Sequence, residues 1–361
     1  MTDMQIAYFI TSHGFGHASR ACAVMQSMQQ ANSDIHFHIY TAIPEWLFVD
    51  SGIRSFTHHN ITTDIGLIQH SPFDIDYEET IERLGVFYEQ FNQMAQIITE
   101  QIRYHNIKAV LCDVAVLGIA VAKAAHIPSF LIENFTWDWI YEFYQTEFPA
   151  FEQYKNKIRG YNEQVTHHYL TEPFCQYPRS LKAIAKPISR RPRQDKATTR
   201  SQLNISRNEK VVLLSLGGIP DQMQINAASL QKKGLIFLVP GIGNEITRDG
   251  NTIFLPQHSQ FYHPDLVTAA DAVIAKVGYS TIAEVFHANI PMGYIPRSDF
   301  PESKDLSAYI KHKMHGTEIK LADFLSGQWV QCIDPLISTA VDYPNAIHGA
   351  DQICEWVFSE L

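Results

Sequence analysis

Apolar residues along this 361-residue chain recur in two rhythms that alternate with each other. "MQIAYFI" is a continuous apolar run of strand length, and "ASRACAVMQSMQQA" sets Ala21, Val24, Met25 and Met28 at the spacing of one helical face. "IHFHIYT" then alternates like a strand, and "IKAVLCD", "VLGIAVAKAAH" and "IPSFLIEN" repeat the order strand, helix, strand. Such alternation predicts parallel strands joined by helical crossovers, in a sheet covered on both faces. Residues 77–104 predict one long amphipathic helix that offers packing surface and no evident chemistry.

The pattern breaks at 186–204, "KPISRRPRQDKATTRSQLN", where prolines and charges replace apolar residues, and a linker is expected. It then restarts with "KVVLLSLGG", a helix near "INAASLQKKG", "LIFLVPG", "NTIFLPQ", "LVTAADAVIA", the helix "STIAEVFHAN" and "PMGYIPR". The expected fold is α/β, with two doubly wound, Rossmann-like domains. They span 1–185 and 205–340, and residues 341–361 form a helix returning to the first. Ligands of such folds bind beyond the carboxyl ends of the strands, so two domains facing across a cleft would share one site. The length agrees, since single cores stop growing at roughly 250–300 residues.

Composition removes several function classes. A formal net charge of −10 argues against a nucleic-acid partner held by overall charge. Five scattered cysteines without a C-x-x-C pair suggest neither a disulfide framework nor a zinc ribbon. The first residues lack the basic start and apolar centre of a secretory signal, and no apolar run is long enough to span a bilayer, so a cytoplasmic location is expected. Arg190, Arg191 and Arg193 read as solvated linker charge, with a peripheral contact to anionic lipid as the alternative.

Chemistry first enters at "HGFGHASR", directly after the first strand. Gly14 and Gly16 permit a tight turn and close approach to a ligand, and a helix beginning near Ala18 would present unpaired N–H groups. A dinucleotide fingerprint is disfavoured, because Ser19 stands where Gly or Ala is required and no acid closes the second strand at Tyr40 or Thr41. Metal binding by His13 and His17 is disfavoured by the intervening glycines and the missing Glu of H-E-x-x-H. The D-x-D pair Asp74 and Asp76 precedes the long helix and reads as an acidic helix start. No metal is expected. An imidazole titrating near neutrality can take up and release a proton, and at the end of the glycine turn a chemical role is expected for His17.

"HGFGHASR" after a first strand resembles the N-terminal loop of GT-B glycosyltransferases, the group that includes plant UDP-glycosyltransferases and the bacterial transferases that make lipid II. Together with "IPSFLIENFTWDWIYEFY" it is similar to the N-terminal glycosyltransferase-like part of plant-type arabinokinases and their bacterial relatives. The likeness runs through most of the chain, apart from the long helix and the extreme C-terminus. It implies that His17 deprotonates an acceptor and that Asp113, ending the strand "KAVLCD", orients it; as a plain sequence feature Asp113 could equally cap the next helix. His13, Gly14 and Gly16 of the loop are expected on the acceptor side; so are Asn134, Trp137 and Asp138 of the aromatic-rich stretch 134–144, since aromatic faces pack on sugar rings and Asp138 could bind hydroxyls, with filling of core or interface space as the alternative.

On the donor side, "AVIAKVGYSTIAEVFHANIP" predicts a strand, a glycine turn and a helix starting at Ser280 or Thr281, whose amides would face a diphosphate. Lys276, Gly278, Tyr279, Ser280 and Thr281 belong to that turn. The resemblance puts the ribose-binding acid at Glu284, although Thr281 and Glu284 also have the spacing of a capping box. It further assigns Ser215, Gly217 and Gly218 to phosphate contact, and Phe254 to base stacking where the plant-type enzymes usually carry Trp. Arg297 and Glu302 fall in the following loop, with Ser303 replacing the usual Gln. The implied activity is transfer of a hexosyl or N-acetylhexosaminyl group from a nucleoside diphosphate, with UDP the expected carrier. The acceptor is a hydroxyl, the configuration inverts, and neither metal nor cofactor takes part. The alternatives are a nucleotide-sugar epimerase on the same fold and a sugar-nucleotide binding module without turnover.

Overall fold

The computed structural model describes residues 4–71, 74–216, 230, 232–343 and 347–361. The chain divides into two compact units. The first comprises Met1–His70, Asp74–Ser189 and Ala346–Leu361, and the second is essentially Arg190–Asn345.

Seven parallel strands form the sheet of the first unit: β1 (Met4–Ile10), β2 (Ile35–Thr41), β3 (Phe56–Asn60), β4 (Ala109–Asp113), β5 (Ser129–Glu133), β6 (His167–Thr171) and β7 (Leu181–Ala185). Their spatial order is β3-β2-β1-β4-β5-β6-β7, so the winding direction reverses between β1 and β4. The central strands are apolar over Ile6–Ile10 and Ala109–Cys112 because both faces are covered, as a parallel sheet requires. The helix Phe15–Ala31 packs Val24 and Met28 against one face, and the C-terminal helix Gly349–Ser359 adds Ile353 and Val357 to the same core.

The long helix runs over Tyr77–Tyr104 and buries Leu84, Phe87, Phe91, Ile98 and Ile102 along one stripe. Asp76 caps it, accepting the Glu79 N–H at 2.8 Å. The D-x-D pair is thus a helix start. His70, Asp76 and Glu79 do bring ligand-type atoms within 4.8 Å of one another. The cap, the His70–Asp76 pair at 2.9 Å and the Glu79–Arg83 pair at 3.1 Å already account for these side chains.

The second unit repeats the winding with β8 (Lys210–Ser215), β9 (Leu235–Pro240), β10 (Thr247–Asp249), β11 (Thr252–Leu255), β12 (Ala272–Lys276), β13 (Met292–Ile295) and β14 (Thr317–Glu318). The order is β10-β11-β9-β8-β12-β13-β14, with only the short edge strand β10 antiparallel. The winding reverses between β8 and β12. Separate apolar clusters cover the sheet, one containing Val211, Leu213 and Val273, the other Val212, Leu214 and Ile274; alternate residues of one strand thus enter different cores. "INAASLQKKG" falls largely outside the described residues.

The stretch 186–204 departs from a solvated linker. It contains the helix Lys196–Gln202, capped by Asp195. Arg200 bonds Asp271 at 2.6 Å and the Ala269 carbonyl at 2.8 Å. The backbone amides of Arg193 and Gln194 both donate to the buried Asp265 carboxylate. Charge density along a sequence does not measure exposure: here a cation pairs with the half-buried Asp271 and two amides donate to the buried Asp265 of the same unit.

Candidate active site

Gly14 adopts φ 75° and ψ 171°, a region essentially restricted to glycine. This turn lets the helix begin at Phe15, one turn earlier than the sequence suggested, with Gly14 as its N-cap and Gly16 inside its first turn. His17 and Arg20 then stand three residues apart, on one helical face. Both are buried, at 8% and 1% exposure.

Asp113, the last residue of β4, meets them at the point where the winding reverses. Its Oδ1 lies 2.8 Å from His17 Nδ1, and Arg20 grips the carboxylate with Nε at 2.7 Å from Oδ2 and Nη2 at 2.6 Å from Oδ1. Arg20 Nη1 also donates to Asn134 Oδ1 at 2.7 Å, which ties in the end of β5. The next helix, Val116–Ala125, has Ala115 at its N-cap and no side-chain cap, so Asp113 serves the imidazole rather than the helix. Val114 between them has φ 64°, a strained conformation for a β-branched residue, which turns the chain sharply after the carboxylate.

Burial alone would raise the Asp113 pKa, but the Arg20 charge and the hydrogen bonds from Arg20 and His17 override it and hold the carboxyl below its ordinary range. An ionised carboxylate only accepts, so the bond to His17 requires the proton on Nδ1. The basic lone pair is then on Nε2, the atom a general base uses.

An aromatic wall flanks this group. Phe135 lies edge-on to His17 at 5.6 Å between centroids, Trp137 edge-on to Phe135 at 5.2 Å, and His13 edge-on to Trp137 at 4.9 Å. Gln69 reaches His13 Nε2 at 3.1 Å. Gly66 packs so closely that a Cβ there would fall 2.6 Å from His13 Nδ1, so this contact needs glycine. The Trp137 indole N–H donates to Asp64 Oδ2 at 2.9 Å. Burial pushes the Asp64 carboxyl up to about 7, against the pull of Thr11 and Trp137. Asp138 takes another direction: its carboxylate engages Asn162 at 2.9 Å and Arg159 at 3.3 Å, a role within helix packing rather than beside His17.

In the second unit, Ser215 ends β8 and Lys276 ends β12, side by side at its own winding reversal. Gly278 is the N-cap of the helix Tyr279–Ala288, which begins one or two residues before the expected Ser280 or Thr281 and has no side-chain cap. The capping box does not form, because Glu284 is drawn elsewhere. His263 Nδ1 lies 2.7 Å from Glu284 Oε2, and Arg190 Nη2 is 3.4 Å from Oε1. Burial would raise the Glu284 pKa, and those two partners hold it down instead. Ser215 Oγ sits 3.4 Å from the other nitrogen of His263.

Arg297 and Glu302 pair with each other at 2.8 Å, and Arg297 lies over the Phe300 ring. Burial, reinforced by the Arg297 charge, lowers Lys276 from 10.5 to about 7. Phe254 sits half-buried in β11 against the core cluster of Val212 and Leu214. Gly217 and Gly218 lie outside the described residues.

Arg20, Asp64, Gly66 and His263 were not singled out from the sequence. Arg20 had a signal, its i+3 spacing from His17, masked by its place in an apolar helix pattern. Asp64 and His263 had none, since their partners are distant in sequence.

The model of the family described as glycosyl transferase family 1 matches residues 4–330. L-arabinokinase of Arabidopsis thaliana is 28% identical over 354 residues, covering 96% of this chain and 33% of that protein, so the chain spans about a third of its curated relative. Among solved structures, the kitacinnamycin glycotransferase is similar with a TM-score of 0.65 at 14% identity, covering 99% of both chains. The Medicago truncatula enzyme UGT71G1, complexed with UDP-glucose, gives 0.59 at 12% identity and covers 98% of this chain and 93% of its own. The two Rossmann-like sheets are those of the GT-B fold, no helix among the described residues is long and apolar enough to cross a membrane, and the chain belongs to glycosyl transferase family 1.

Proposed function

We propose that the chain transfers a glycosyl group from a UDP-sugar to an acceptor hydroxyl, with inversion and without a metal. His17 Nε2 takes the hydroxyl proton as the oxygen attacks the anomeric carbon; the bond from that carbon to the diphosphate oxygen breaks, and UDP leaves. Asp113 keeps the imidazole in the required tautomer. The second unit holds the donor, with the Lys276 ammonium and the amides that open the Tyr279–Ala288 helix on the diphosphate. Glu284 in its present pairing orients Arg190 and His263, so any ribose contact works through that network.

The observation that carries this reading is the 2.8 Å bond between His17 Nδ1 and the Asp113 carboxylate in a chain of this family. It draws support from the UDP-glucose bound by a protein of the same fold. The test is a screen of UDP-sugars against mixed acceptors, followed by UDP release and product mass. Glycoside formation supports the proposal; its absence with every donor that binds overturns it.

A second reading, a sugar-nucleotide binding module without turnover, is favoured by one observation: the curated relative is named as a kinase, and the match covers 33% of it. Tight UDP-sugar binding with no product would select it.

A further inference from the structure

Assigning His17 and Asp113 leaves Arg20 without a role, although its guanidinium is 1% exposed and lies on the same carboxylate. Asp113 Oδ1 receives two donors, Arg20 Nη2 at 2.6 Å and His17 Nδ1 at 2.8 Å, and Arg20 Nη2 is 3.2 Å from that imidazole nitrogen. An aspartate alone beside a histidine both orients the ring and stabilises its protonated form. The bidentate guanidinium neutralises most of that second effect while leaving the first intact. Once His17 accepts a proton, a new cation stands next to an existing one.

We propose that Arg20 is a positioning residue that separates these two functions of Asp113: it locks the carboxylate as an orienting group and keeps His17 unprotonated in mildly acidic solution. The catalytic consequence rests on the transferase reading above, but the proton equilibrium exists without substrate.

Among the described residues, ionisable groups acting on this cluster include Tyr8 on β1, Cys112 on β4, Glu133 at the end of β5 and Asp64 in the loop after β3. Burial pushes Tyr8 and Cys112 upward, which keeps them neutral at neutral pH. Glu133 is also raised and is bonded to His168 at 2.8 Å. Asp64 titrates near 7, so its own transition overlaps that of a histidine.

The test is an NMR titration of the substrate-free full chain with labelled histidine, the His17 signal being assigned by its loss in His17→Gln. Arg20→Gln is expected to move the His17 midpoint up by about one pH unit or more. Arg20→Lys, which keeps the charge but loses the fork, falls between. Arg20→Gln combined with Asp113→Asn returns the midpoint to the parent value or below. The same series in an Asp64→Asn background keeps the overlapping carboxyl from producing the result.

An unmoved midpoint in Arg20→Gln, accompanied only by a lower melting temperature, overturns the proposal and makes Arg20 a structural counterion. If Arg20→Gln does not fold, the order of the parent, the lysine variant and the double variant decides in the same way. Shifted midpoints without glycosyl transfer from any donor would sustain the role of Arg20 and defeat the transferase reading.

Discussion

The two units share one winding scheme and place polar residues at the same point of it, yet their centres are built on opposite electrostatic plans. At the reversal between β1 and β4 a carboxylate is enclosed by an arginine and a histidine, and the charges balance internally. At the reversal between β8 and β12 the acids Glu284 and Glu302 are taken up by His263, Arg190 and Arg297, while Lys276 makes no hydrogen bond or ion pair with the described residues. A closed cluster suits a group whose resting tautomer must be fixed; a lysine with no hydrogen bond or ion pair among the described residues, its pKa depressed by burial and by Arg297, suits a site completed by an anion. One topology thus carries two differently charged groups of residues at its strand ends, and the proposed function assigns the first to the base and the second to the donor.

The sharpest way to break the first plan is Asp113→Ala. It leaves Arg20 buried without its carboxylate, and loss of about 3–5 kcal/mol is expected, read by denaturant unfolding. Asp113→Asn should cost less, because the amide oxygen still accepts from Arg20.

Asp64→Asn sharpens it. A carboxyl raised from 3.8 to about 7 on folding withdraws stability as pH rises through that interval, since the native state holds the proton that the unfolded state releases. The substitution should therefore raise the melting temperature at pH 8, by up to about 4 kcal/mol in stability, and change little at pH 3.5. Stabilisation that is equal at both values would contradict the burial argument.

The second plan is broken by Lys276→Met. A charge-assisted contact is worth about 1.5–3 kcal/mol, so UDP affinity should fall roughly 10- to 100-fold in calorimetry. In the parent, affinity should weaken as pH rises past 7, where the free ammonium loses its proton, and this slope should vanish in the variant.

A further pH effect concerns another set of histidines. Burial, then the neighbours His105, His36 and His59, lowers His38 to about 4. A base depressed on folding costs stability as pH falls below its ordinary value, because the unfolded state binds the proton first. The melting temperature should decline between pH 6.5 and 4, and less so in His38→Gln.

The alternating rhythm exposed both sheets because parallel strands covered on two faces must be apolar throughout, and the long helix was legible for the converse reason, its single apolar stripe. His17 was legible because only a glycine-led turn after a first strand could hold it, and Gly14 indeed takes a conformation reserved for glycine. Asp113 was legible as a strand end, although only its family resemblance gave it a partner. The rest depended on contacts across large separations. Trp137 meets Asp64 73 positions away, and Glu284 meets Arg190 94 positions away, distances at which no periodic pattern carries information. Charged runs misled most, since 190–200 reads as solvent-facing while Arg190 and Arg200 are buried.

The central claim is that His17 removes the acceptor proton in glycosyl transfer, and it is tested most directly by comparing the parent with His17→Ala. Both proteins would be titrated with UDP and then assayed for transfer from the sugar nucleotide that binds best. The account predicts unchanged UDP affinity with transfer reduced about 10²- to 10⁴-fold. Transfer that survives the substitution at the parental rate would contradict it.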